Sequence, residues 1–162
     1  MPRPVVRSLL VVALFAVPAP LAAQAIDPAV RAEVLGTIHR FTDALRRKDT
    51  AGMAAQMHPA ARMTLLRPAP SGDSVRVAVL TAAQFITVAT DPRNPPLDEP
   101  IRDAQVTVHQ DLATVWAEYQ VRIDGKVSHC GYDAFHLVRT GAGWKLLTVA
   151  DTFRREGCGA MW

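Results

Sequence analysis

The chain has 162 residues and a formal charge of +3, with 49% hydrophobic and 20% charged residues, which suits one folded domain and excludes a disordered or fibrous class. Arg3 and Arg7 carry part of that charge, and the other basic residues stand in short runs such as Arg46-Arg47-Lys48. No nucleic-acid partner is expected, because binding phosphates by counterion release needs a clustered basic surface.

The first residues set the destination. A positive start (Arg3, Arg7), an apolar run from Ser8 to Val17 and the stretch Pro18-Ala-Pro20-Leu-Ala-Ala23-Gln-Ala25 have the order of a secretory signal peptide over 1–25. The apolar run is shorter than the roughly 20 residues of a membrane-spanning helix. Export to the periplasm or medium is therefore expected, with no membrane attachment after cleavage and one domain over 26–162. Cys130 and Cys158 are the two cysteines, and an oxidising compartment favours their pairing.

Asp27-Pro28 predicts a helix start, with a side-chain acceptor at the cap and proline where no amide bond is lost. Val30, Val34, Ile38, Phe41 and Leu45 then fall on one stripe of a helix that ends near Lys48. Asp49 or Thr50 opens a short second helix through Met53 and Met57, stopped by His58-Pro59. Residues 62–67 read as a strand, closed by a turn over 68–73. Thr81-Ala-Ala-Gln84 fits a capping box for a helix of about two turns, and the proline-rich stretch 92–100 reads as an extended connection. From Ile101 the apolar period becomes two, predicting strands over 101–109, 112–123, 126–139 and 143–152. Asp124-Gly125 is a two-residue hairpin signal. Helices first and an antiparallel meander second make an α+β fold, with the N-terminal helices packed on one face of a curved antiparallel sheet.

The long first helix, the second helix closing on His58-Pro59, Phe135-His-Leu-Val-Arg139, Gly143-Trp144-Lys-Leu-Leu and Asp151 together resemble the nuclear-transport-factor-2-like superfamily. The similarity is to its SnoaL-like and lumazine-binding-like small bacterial members and spans about 27 to 153. It implies a cone-shaped pocket, which in that superfamily hosts isomerases, dehydratases, cyclases and plain binding modules, and an outer sheet face that often joins two subunits in a homodimer. Such a fold does not by itself specify function.

Uninterrupted pairing through Asp124-Gly125 sets Gln120 opposite His129, Glu118 opposite Gly131 and Trp116 opposite Asp133. Pairing through Gly141-Ala142 sets Asp133 opposite Ala150, Tyr132 opposite Asp151 and Cys130 opposite Phe153. One sheet face then carries Trp116, Glu118, Gln120, His129 and Asp133, apolar at one end and polar at the other, as a ligand pocket would be. A rival set on the other face is Tyr119, Tyr132, His136 and Asp151, and a slip of one residue exchanges the faces. From Phe153 the chain can fold back through Gly157 and Gly159 to close a Cys130–Cys158 disulfide. No zinc-type ligand spacing is present, and no metal or cofactor is expected.

Three functional readings remain. The first is an exported binding domain, without catalysis, for a small apolar or aromatic molecule. The second is an isomerase or dehydratase in which Asp133 or Glu118 moves a proton and His129 assists; against it, no motif joins nucleophile, base and oxyanion donor. The third is a structural or partner-binding dimer with a closed core.

Overall fold

The computed structural model describes residues 26–162; the expected signal peptide lies outside the described residues. Three helices, α1 (Pro28–Arg46), α2 (Thr50–Gln56) and α3 (Ala82–Thr90), pack against six strands: β1 (Met57–Pro68), β2 (Val75–Thr81), β3 (Ile101–His109), β4 (Leu112–Ile123), β5 (Lys126–Thr140) and β6 (Gly143–Asp151). The strands form one sheet in the order β2-β1-β6-β5-β4-β3, curved around the helices as an open cone.

Local chemistry explains each helix start. The Asp27 carboxylate accepts the Ala29 amide at 2.8 Å, and Asp49 accepts the Gly52 amide at the same distance. At α3 the capping box is reciprocal, with Gln84 N–H donating to Thr81 Oγ1 and Thr81 N–H to Gln84 Oε1. The expected stripe on α1 becomes core: Val34, Ile38, Phe41 and Leu45 are 0–2% exposed, each contributing about 1.5–3 kcal/mol by leaving water. They pack with Met53, Met57 and Met63 and with Phe135, Leu137, Trp144 and Leu146 of the sheet.

The strands depart from the expected pattern in four respects. Met57 begins β1 instead of closing α2, so His58-Pro59 lies within the strand. Val75–Thr81, for which the sequence predicted no strand, is an edge strand paired with β1. The β1–β6 pairing is parallel, which makes the sheet mixed.

The fourth departure concerns register and corrects the pairing read from the two turns. The Asp124-Gly125 turn does set Ile123 opposite Lys126 and Arg122 opposite Val127, but β5 then carries an extra residue, Ser128. Val121 therefore faces His129, Ala117 faces Asp133, and Glu118 faces Tyr132. A second bulge places Leu147 as the extra residue of β6, so that Asp133 faces Asp151 and not Ala150. Each bulge inserts one residue into a period of two, which exchanges the faces beyond it.

Candidate functional site

The cone encloses a cavity of about 290 Å³ between α1, α3, the segment 91–100 and the sheet. Phe41 and Leu45 of α1, Phe85 of α3, Leu97, and Val121 and Val149 of the sheet give it apolar walls. Its polar residues are Arg67, Asn94, Glu99, His129, Asp133 and Asp151. Ring centroids of Phe41 and Phe85 lie 6.0 Å apart, tilted by 31°.

The bulges decide who enters. Of the five residues expected on one pocket face, His129 and Asp133 line the cavity, whereas Trp116, Glu118 and Gln120 project from the other side of the sheet. There Trp116 stacks on Tyr132 with centroids 5.2 Å apart and remains 44% exposed. Glu118 accepts hydrogen bonds from the Tyr132 hydroxyl at 2.8 Å and from Arg102 Nε at 2.7 Å, and these donors hold its carboxyl below the usual range. Glu118 is thus an ionised partner in a surface network, remote from the cavity. The buried Gln120 amide donates to the Cys158 and Ala160 carbonyls at 2.9 and 3.0 Å and fastens the C-terminal tail. Cys130 and Cys158 form a disulfide with Cα atoms 5.6 Å apart, and Cys130 pairs with Arg154, one residue beyond the expected Phe153.

The rival set is divided by the same registers. Asp151 lines the cavity and Tyr119 is buried beside it, its hydroxyl donating to the Thr152 carbonyl at 2.6 Å. Tyr132 and His136 lie with Glu118 and Thr148 on the outer side.

Arg67 Nη1 stands 2.8 and 2.7 Å from the two oxygens of Asp151, and the Leu66 amide donates to the same carboxylate at 3.0 Å. Asp133 is 2% exposed, and its Oδ2 has no hydrogen-bond partner. Burial, with Glu99 and Asp151 nearby, pushes its carboxyl well above the ordinary value. Burial first, then Asp151, lifts Glu99 to about 8 against the pull of Arg67. Burial lowers His129 to about 4, assisted by Arg67 and Arg155. Burial also raises Asp151, against the pull of Arg67. At neutral pH the floor therefore holds the Arg67–Asp151 contact, a protonated Glu99, a neutral imidazole at His129 and, at Asp133, a carboxyl that keeps its proton more tightly than usual.

Glu99 and Arg67 were not among the candidates read from the sequence. Glu99 lies in the proline-rich connection, which continues the line of β3 along β4: Asp98 and Arg122 exchange backbone hydrogen bonds of 3.1 and 2.8 Å. Asp98 points its carboxylate at Arg122 on the outside, and its neighbour Glu99 reaches the cavity. Lys48 holds the start of the same segment by donating to the carbonyls of Asp91 and Asn94. The one legible signal was a carboxylate pair, Asp98-Glu99, set among prolines.

A cone of helices on a curved sheet, closed over a pocket with a polar floor, defines the nuclear-transport-factor-2-like class of α+β proteins. Residues 34–149 match the SnoaL-like domain family, and the chain belongs to it. Solved structures agree in fold. A protein of unknown function with a cystatin-like fold from Nostoc punctiforme superposes with TM-score 0.65 at 11% identity, over 81% of this chain and 96% of that one. An NTF2-like protein from Novosphingobium aromaticivorans gives 0.63 at 15% identity, over 80% and 85%. A protein from Kribbella flavida gives 0.59 at 20% identity, over 77% and 90%. No curated protein matches the sequence.

Proposed function

We propose that this chain is an exported domain that holds a small, largely apolar molecule in the cone. The observation that carries this reading is the cavity itself: apolar walls with a few convergent polar groups, at the lower end of the roughly 300–1,000 Å³ of small-molecule sites. Export is supported by the signal-like order of residues 1–25 and by the disulfide. Among the described residues no helix is long and apolar enough to cross a membrane. The test is native mass spectrometry of the protein purified from the periplasm of an expression host, repeated under denaturing conditions. A retained small molecule lost on denaturation is expected; a ligand-free protein that also takes up no apolar fluorescent probe would overturn the reading. The same native mass reports whether the outer face around the exposed Trp116 joins two copies.

A second reading, proton transfer of the isomerase or dehydratase kind, is favoured by one observation. Asp133 is a buried carboxyl with an unpartnered oxygen in a cavity shared with Glu99, and carboxyls raised toward neutrality suit general acid and base work. The test is deuterium exchange from solvent into a panel of cyclic ketones. Exchange that disappears in Asp133→Asn supports catalysis; no exchange with any ketone removes this reading and leaves the binding domain.

A further inference from the structure

The floor of the cavity has more carboxyls than cations. Arg67 is engaged by both oxygens of Asp151, so its charge is matched. Asp133 and Glu99 share the same cavity without such a partner, and no protein donor among the described residues reaches Asp133 Oδ2. His129 offers no cation, being held neutral by burial, and the Asn94 amide is committed to the Val88 carbonyl at 2.9 Å. Asp133 is only 2% exposed and no protein group donates to its Oδ2, so a ligand that supplies a donor there gains a hydrogen bond in a site largely removed from water.

Resting on the reading of the cone as a binding pocket, we propose that it takes an apolar amine: a compact aromatic or aliphatic body carrying one ammonium group, held at the floor by Asp133 and Glu99. A neutral carbonyl compound would accept one hydrogen bond from a protonated carboxyl and leave the second carboxyl unmatched. An ammonium carries three donors and a full charge, so one group serves both carboxyls. The apolar body lies against Phe41, Leu45, Phe85 and Val121. Binding of the cation favours the ionised carboxyl, so a proton held by the Asp133–Glu99 pair leaves as the amine enters. The other charged groups facing the pair, Asp151, Arg67 and, through His129, Arg155, form the background against which this exchange takes place.

The experiment is titration calorimetry of the purified protein, disulfide intact, with 2-naphthylmethylamine, the uncharged isostere 2-naphthylmethanol and the anion 2-naphthoate. Buffers of different ionisation enthalpy report protons released. The amine is expected to bind about tenfold or more tighter than the alcohol, the gain typical of a charge-assisted hydrogen bond. It should release protons, with affinity rising from about pH 6 to about pH 8 as Glu99 gives up its proton. Asp133→Asn is expected to erase the preference for amine over alcohol. Glu99→Gln gives the same readout if the first variant does not fold, and the wild-type comparison needs no variant. Equal binding of amine and alcohol, or affinity that falls as pH rises, overturns the amine assignment while the pocket stands. Binding by none of the three overturns the pocket as well.

Discussion

Asp133 and Asp151 stand directly opposite each other on β5 and β6, and only Asp151 has a cation. Arg67 reaches Asp151 from β1, the strand on the far side of β6. This division makes Asp151 a structural carboxylate and leaves Asp133 available to a ligand or a proton.

Stability should fall with rising pH because of Glu99. Its carboxyl is raised from 4.5 to about 8, so between those values the folded state keeps a proton that the unfolded chain has released. The contribution is full below about pH 4.5 and is lost as pH climbs toward about 8. Glu99→Gln is expected to melt like wild type near pH 4.5 and several degrees above it near pH 8, at about 2–8 °C per kcal/mol. Parallel melting curves for the two proteins at all pH values would remove this account of Glu99.

Arg67→Met should destabilise by about 1–3 kcal/mol, since it leaves the Asp151 carboxyl with only a backbone donor in a partly buried site. The double variant Arg67→Met with Asp151→Asn is expected to recover part of the loss. Denaturant midpoints of the four proteins give the coupling, and additive effects would mean that the 2.7 Å contact adds no stability.

Gly131 is required by close approach. A Cβ built there would lie 2.4 Å from the Thr152 carbonyl, the same oxygen that accepts the Tyr119 hydroxyl. Gly131→Ala should cost about 1–3 kcal/mol through backbone displacement. Wild-type stability in this variant would show that the tail shifts freely.

The disulfide closes a separation of 28 residues, for which the loop-entropy account gives about 3–4 kcal/mol. Cys158→Ser should lower the melting temperature of oxidised protein and leave reduced protein unchanged. Identical melting of oxidised wild type, reduced wild type and variant would contradict it.

Much of this molecule is legible in one dimension. The caps at Asp27 and Asp49, the Thr81–Gln84 box, the α1 stripe and the Asp124-Gly125 turn act within a few residues of chain, so local chemistry was enough to place the helices and the β4–β5 hairpin. Periodicity likewise located the last four strands, and the residues near Trp144 and Asp151 pointed to the superfamily.

The site itself was decided in three dimensions. Ser128 and Leu147 each add one residue to a strand, and neither is a glycine or a proline, so no turn-type residue announces the bulge. Their effect on a pattern of period two is total: the side of β4 bearing Trp116, Glu118 and Gln120 turns outward, while Asp133 and Asp151 come to face one another inside the cone. Arg67 and Glu99 reach that floor from β1 and from the 91–100 segment, far apart in sequence from both carboxylates. Only packing of the whole sheet against the helices brings them within electrostatic range, because charge interactions depend on distance through space and on burial, and a sequence specifies neither until the chain has folded.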